Sequence, residues 1–556
     1  MSASQRAADI EKLRQLASLV TSATETVITE WTKGETTPPD TIDSIQLPSH
    51  RLYDAQRILA AAAGSIEELV CDPSLRLLNF STQYVESRAL HIAAEHRIAD
   101  LLEDARDSQL RVQELAKTIG IEVEKLSRIL RLLTSQHIFR EVSPDTFANN
   151  SVSRKLVNNE TLRAYIMNFA GDIFSTMDYL PMSLKDPVIG PSYKVNETAF
   201  NLAVGTSKPR WEWLEEKIPK SQIGAISSRG YPHSLTGNDG QVDHGKVNGN
   251  DEMVPRPGLE IMGLAMVGGG RVHSTPHVFD YPWGELGNAT VVDVGGGQGG
   301  FLLQLSRLYP DLHLVLQDRQ AVIEKAKPMW KRENPNAFNG GKVDFVPHDF
   351  FQTNPVKNAD VYFVRNVIHD WSDSYCISIL SNLRAAMGPQ SRVLIADQVM
   401  NTTLGSPELR SAPEPLLANY GNYVRFSHQR DVALMGLING IERTPAQFRR
   451  IVEAAGLRLV RPKASNEVTL SVWRRVSSDL IQRNQYRQTS QSTEQCIVLQ
   501  AGLKEIDVFA PSRIDESVPA ETMDALRVAR SRGEVGSCYL SEVGAQVIES
   551  APCKTP

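Results

Sequence analysis

His369 closes the run Val361-Tyr-Phe-Val-Arg-Asn-Val-Ile-His369 and is followed by Asp370-Trp-Ser-Asp373. A histidine titrates near pH 6.5, so it can take the proton of an acidic hydroxyl at neutral pH. A carboxylate on its other ring nitrogen would fix the tautomer and stabilise the imidazolium that forms. About seventy residues upstream lies Thr290-Val-Val-Asp-Val-Gly-Gly-Gly-Gln-Gly-Gly-Phe301. β-favouring residues, an acid and a burst of glycines lead there into the helical pattern Leu302–Leu308. That order predicts a buried strand, a tight turn and a helix start, the place where an α/β fold holds a nucleotide-like ligand. The next apolar run, His313-Leu-Val-Leu-Gln317, ends in Asp318, whose carboxylate can accept from both hydroxyls of a ribose.

Positioning these groups requires a sheet. Strand candidates at Val291–Val294, His313–Leu316, Val343–Val346, Val361–Val364 and Arg392–Ala396 alternate with helical segments, and a last pair lies near Leu457–Val460 and Thr469–Trp473. Regular βα alternation with continuous apolar strands predicts a mostly parallel, doubly wound, Rossmann-like sheet covered on both faces. His369 then falls just past the carboxyl end of a strand, where such sheets place ligands.

The rest of the chain reads as helices. Residues 5–33 and about 53–70 carry amphipathic patterns that bury a face against a neighbour or a second copy of the chain. Ala89–Leu101, Val112–Gly120 and Val123–Gln136 predict three short helices, and Ile138–Val142 with Thr146–Ala148 two short strands. Three helices and a wing resemble a winged helix-turn-helix. Lys125, Arg128 and Arg131 are interleaved with Glu122 and Glu124, however, so no basic face for phosphates emerges and a dimerisation role fits better. Residues 160–218 are rich in large side chains, mostly core, with a subset suited to lining a pocket for a flat organic substrate.

With 556 residues the chain is long enough for two or three domains, and 41% hydrophobic and 22% charged residues are ordinary for a globular protein. A net charge of −6 gives no sign of a nucleic-acid surface. No apolar run is long enough to span a bilayer, and the start lacks a secretory pattern. Five scattered cysteines suggest neither a metal site nor a disulfide framework, so a reducing, cytoplasmic setting is expected.

Gly295, Gly297 and Gly300 satisfy G-x-G-x-x-G, which leaves a dinucleotide such as NAD open. Asp293 extends the run to D-x-G-x-G-x-G, which resembles the first motif of S-adenosylmethionine (SAM) methyltransferases. The series D-V-G-G-G-Q-G, L-Q-D, H-D-F-F, H-D-W-S-D, A-D-Q and I-E-R-T-P, over about residues 80–474, resembles the plant and fungal small-molecule O-methyltransferases of the caffeic-acid type. The fungal members acting on polyketide phenols are the nearest likeness.

The resemblance implies a homodimeric enzyme that methylates a phenolic hydroxyl of an aromatic secondary metabolite with SAM and no metal. It implies that His369 is the catalytic base, with Asp397 and Glu442 as the acids beside it. Gly295, Asp318, Asp349, Phe350 and Arg365 would contact the cofactor, Arg365 standing where the family has Lys. Asp370, Met435 and Asn439 would face the substrate. The expected organisation is N-terminal helices over 1–80, a winged-helix-like dimerisation domain over 81–180 and a helical linker over 181–257, with a flexible insertion at about 219–257. The methyltransferase domain would span 258–475, and a disordered tail 476–556. A non-catalytic SAM-binding or winged-helix regulatory protein is the alternative reading.

Overall fold

The computed structural model describes residues 2–33, 49–220, 252–273, 281–459 and 468–475. Most of the expected insertion and the whole expected tail lie outside the described residues.

Helices Ala3–Lys33 and His50–Val70 open the fold. They bury Leu16, Ala61 and Ala62 against Ala412, Leu416 and Tyr420, far along the chain. A third helix, Pro73–Glu95, runs across the expected boundary at residue 80. At its start Asp72 accepts from the amides of Ser74 and Leu75, and Pro73 occupies the first turn. The single helix expected over Ala89–Leu101 is instead two, because Arg97 is left-handed (φ 52°) and separates Pro73–Glu95 from Ile98–Asp104. Arginine has no preference for that conformation, so the sequence carried no warning.

Helices Val112–Ile119 and Val123–Ser135 form as the pattern predicts, the first ended by left-handed Gly120 and the second capped by Glu122. The wing has three strands rather than two: β1 (Gln109–Arg111), β2 (Phe139–Ser143) and β3 (Thr146–Asn149), with β3 central and antiparallel to both. Helices Glu160–Asn168 and Phe174–Ser183 follow, joined through a π-helical turn, Phe169–Ile173. Strands β4 (Lys217–Pro219) and β5 (Met253–Pro255) pair antiparallel, so the two ends of the expected insertion are hydrogen-bonded to each other.

The main sheet contains β6 (Thr290–Val294), β7 (His313–Asp318), β8 (Val343–Pro347), β9 (Val361–Arg365), β10 (Arg392–Gln398), β11 (Leu457–Leu459) and β12 (Val468–Arg475), in the order β11-β12-β10-β9-β6-β7-β8. The five strands from β8 to β10 are parallel, while β12 runs antiparallel to β10 and β11 to β12. Strand order reverses between β6 and β9, the switch point beside which α/β sheets open their ligand crevice. One face of the sheet buries Tyr362, Val364, Ile379 and Phe448. The other buries Trp283, Trp330, Phe301 and Phe363, the last two rings stacked at 4.4 Å. At ~1.5–3 kcal/mol for each fully buried large apolar side chain, these two layers dominate the stability of the region. Among the described residues no helix is long and apolar enough to cross a membrane.

Candidate active site

The glycine turn follows β6 at the switch point. Gly295, Gly297 and Gly299 all have positive φ (72°, 61° and 83°), a conformation open to glycine at little cost. A Cβ on Gly295 would lie 2.8 Å from Val367 and 3.6 Å from Phe350, so the turn is held close to the β8 and β9 exits. A Cβ on Gly297 would meet nothing within 4 Å, which marks the open side of the turn. There the amide of Gly297 donates to Asp318 at 2.8 Å, while the amide of Arg319 donates to the other oxygen of Asp318 at 2.7 Å. Burial raises the Asp318 carboxyl, and these two amide bonds oppose the rise.

Asp349 is exposed, and its carboxylate accepts from the amide of Phe351 at 3.0 Å. Phe350 belongs to an aromatic cluster with Phe351 and Trp371, at centroid distances of 5.0 and 5.7 Å. Arg365 ends β9 with its guanidinium 5.6 Å over the Phe301 ring, in electrostatic reach of Asp293 and Asp397. Burial pulls its pKa down against those two carboxylates, and its Nη1 has no hydrogen-bond partner among the described residues. Burial also pushes buried Asp293 up to about 7 despite Arg365.

His369 sits in the short 3-10 turn Ile368–Asp370 after β9 and is buried. Its Nδ1 lies 2.9 Å from Glu442 Oε1, and its Nε2 lies 3.5 Å from Asp370 Oδ1. Asp397, at the end of β10, accepts from the backbone amide of His369 at 3.0 Å. The two acids thus divide the work: Glu442 orients the ring and Asp397 anchors the turn. Burial would lower the imidazole, but Glu442 and Asp370 outweigh it and raise its pKa to about 9. Glu442 feels the same balance in reverse. Burial raises it, yet the His369 and Arg430 cations hold it below the usual carboxylate range. Asp397 is pushed up to about 6, burial prevailing over His369. Burial likewise raises Asp370, with His369 opposing.

Three further residues build the site and were not anticipated. Arg430 Nε donates to Glu442 Oε1 at 2.6 Å, and the amide of Glu442 donates to Asp431 at 2.8 Å. Arg443 is fully buried and grips the His369 turn from both sides, through the carbonyls of Ile368 (2.9 Å) and Trp371 (2.7 Å). It lies inside the I-E-R-T-P motif, which was its only sequence signal; Arg430 and Asp431 had none. Met435 is half-buried one turn beyond Asp431 on helix Arg425–Ile438. Asn439 caps that helix in a left-handed conformation, its amide nitrogen bonded to the carbonyls of Lys194 (2.8 Å) and Glu197 (3.1 Å). Neither Met435 nor Asn439 is brought into contact with His369 by a hydrogen bond.

Comparison with known proteins fits this geometry. An O-methyltransferase domain model matches residues 286–458, and an O-methyltransferase dimerisation domain model matches residues 78–159. The chain is 50% identical to O-methyltransferase gedA of Aspergillus terreus, over 81% of this chain and 93% of that protein. It is 49% identical to O-methyltransferase tpcA of Aspergillus fumigatus, with the same two coverages. The fold superposes on CalO1, a methyltransferase in calicheamicin biosynthesis in its SAH-bound form, at a TM-score of 0.50 and 26% identity, over 73% of this chain and all of that one. A relative this similar over nearly its whole length is decisive, and the chain belongs to the SAM-dependent O-methyltransferases.

Proposed function

We propose that this enzyme methylates a phenolic hydroxyl of an aromatic secondary metabolite, a polyketide phenol, with His369 as general base. The observation carrying this reading is the 2.9 Å contact between His369 Nδ1 and Glu442. A carboxylate on Nδ1 holds the proton there and leaves Nε2 as the basic nitrogen. With a pKa of about 9, the imidazole is nearly matched to a phenol, which titrates near 10, so proton transfer between them is close to balanced. Such base catalysis contributes roughly 10²–10⁴-fold. Asp397 keeps the turn in register through the His369 amide.

The residues around the glycine turn suit SAM, which when bound supplies a methyl group on an electrophilic sulfonium. Asp318 would hold the ribose, since its partly exposed carboxylate faces the open side of Gly297. Phe350 and Asp349 would flank the adenine. Gly295 and Arg365 would lie against the cofactor, the Nη1 of Arg365 being buried without a hydrogen-bond partner among the described residues. Asp370, beside Nε2, would face the substrate, with Met435 and Asn439 further along that wall. The dimerisation domain supports a homodimer as the working form.

Incubation of the enzyme with SAM and a panel of polyketide phenols, read by mass spectrometry, tests the reading. Products one CH₂ heavier, lost in His369→Gln while S-adenosylhomocysteine (SAH) still binds, are the expected result. Near-normal turnover in that variant would remove His369 as the base.

A further inference from the structure

Arg210 is buried at the head of helix Arg210–Glu215, and the mechanism above does not use it. Its Nε pairs with Asp172, and its Nη2 donates to Asp172 Oδ1 and Asn168 Oδ1, both at 3.0 Å. Nη1 is different. Among the described residues its one hydrogen-bond partner is the thioether of Met262, at 3.4 Å. Sulfur is a weak acceptor, so one arm of a buried guanidinium retains donor capacity that nothing strong satisfies.

Where this arm stands gives it meaning. The charge of Arg210 is felt by Asp370, whose carboxylate lies 3.5 Å from His369 Nε2. Trp211, the next residue, packs on Trp371 at 4.9 Å, two residues past His369. Asp172, the counter-ion, lies in the π-helical turn Phe169–Ile173, where Gly171 leaves helical geometry. Such insertions into helices recur at functional sites. The far end of the same helix points elsewhere: Glu215 pairs with Arg319, next to Asp318, at 2.7 Å. Arg210 and Glu215 are separated by roughly 7–8 Å along a helix. Glu215 thus reaches Arg319 beside Asp318 at one end of the helix, and Arg210 at the other end acts electrostatically on Asp370.

We propose that Arg210 is a specificity-determining residue, with Nη1 donating to a second oxygen on the aromatic substrate, such as a carbonyl adjacent to the hydroxyl being methylated. This rests on the phenol-methylating reading and narrows it to oxygenated rings bearing an acceptor near the reacting hydroxyl. Asp172 and Asn168 hold the fork so that Nη1 is directed by bonds already made. The cofactor's own carboxylate offers the same oxygen chemistry, and the test separates the two sources.

The probes are 1-hydroxyanthraquinone and 1-hydroxyanthracene, which share a ring frame and differ in the carbonyls. Binding of each to the SAH-loaded enzyme is measured by calorimetry, for wild type, Arg210→Lys and the double variant Asp172→Asn/Arg210→Gln. Lysine keeps the charge beside Asp172 but lacks the second arm, and the double variant leaves no unpaired buried charge, so the two disturb the fold in different ways and the variant whose melting temperature stays near wild type is the one read. A hydrogen bond from a charged donor is worth roughly 10–100-fold in affinity. The quinone is therefore expected to lose about tenfold or more in the variants, with the anthracene and SAH itself changing by less than about twofold. Equal losses for both ring systems would overturn the proposal. So would weaker SAH binding, which would assign Nη1 to the cofactor. Should SAH bind normally and neither ring system bind wild type, the phenol reading fails together with the proposal that rests on it.

Discussion

Glu442 and His369 are 73 residues apart in the chain and 2.9 Å apart in the fold, joined carboxylate to Nδ1. Burial alone would leave His369 a weaker base than free histidine, and the Glu442 and Asp370 carboxylates reverse that and carry it to about 9. The free enzyme's kcat/KM is therefore expected to climb with pH toward about 9 and to level above it. In Glu442→Gln the inflection moves down while the plateau falls, because the tautomer is no longer held. The stability consequence has a definite sign. A histidine raised in the folded state stabilises the protein fully below its ordinary value near 6.5, and that contribution is lost as pH rises through about 9. Denaturation midpoints of the wild type should fall across that window, and those of Glu442→Gln should not. An unmoved pH profile in the variant would disconnect Glu442 from the base.

Asp318 offers a separate test that does not depend on turnover. Its carboxylate is already held by the amides of Gly297 and Arg319, so it is preorganised rather than recruited. Asp318→Ala removes charge-assisted bonds worth roughly 1.5–3 kcal/mol each. SAH affinity by calorimetry should drop about tenfold or more, and the melting temperature of the unliganded protein should fall as well, because the Gly297 and Arg319 amides lose their acceptor. Unchanged affinity would exclude Asp318 as the ribose partner.

Arg443 distinguishes positioning from proton transfer. It is wholly buried and binds the carbonyls of Ile368 and Trp371 as well as Asp373. Arg443→Met would leave three carbonyls, those of Ile368, Trp371 and Ile441, and part of Asp373 without this donor, at a cost of about 3–5 kcal/mol. The melting temperature should fall steeply. At permissive temperature, kcat should drop with the histidine inflection unmoved, since Arg443 touches the turn and not the ring. An altered inflection would place Arg443 in the proton-transfer machinery instead.

Much of this site was written in local pattern. The glycine turn, the carboxylate at the end of β7 and the histidine beyond β9 are each signalled within a dozen residues, because strands, turns and helix starts have local causes. The ligand at the turn was not legible there: glycines satisfy a dinucleotide and SAM equally, and family membership decides between them. What the sequence could not signal is side-chain direction. Asp397 meets the backbone of His369 and Glu442 meets the ring, although both were expected simply as acids beside it. Arg430 and Arg210 were invisible because a paired arginine inside a fold looks, in sequence, like any charged residue of a helix. The break at Arg97 was missed for a related reason: tertiary packing holds a residue in a conformation its type does not favour.

The N-terminal helices show how far that long-range ordering extends. Helix His50–Val70 approaches the turn Gly421–Val424 so closely that a Cβ on Gly64 would sit 2.6 Å from the Cβ of Asn422. Around this point Arg57 stacks on Tyr420 at 4.1 Å and Arg410 pairs with Asp54 at 2.7 Å. The same turn leads directly into helix Arg425–Ile438, which carries Arg430 to Glu442. Gly64→Ala sets two effects against each other. Alanine favours the helix by ~0.5–1 kcal/mol, while overpacking at a seat this tight costs ~1–3 kcal/mol. Overpacking should win, lowering the melting temperature by up to a few degrees, since the shift is roughly 2–4 °C per kcal/mol for domains of about 150–250 residues and smaller for a longer chain. Because the displaced turn feeds the helix bearing Arg430, kcat should fall more than the affinity for SAH. A raised melting temperature with full activity would mean that the helix pair does not seat on this turn in solution.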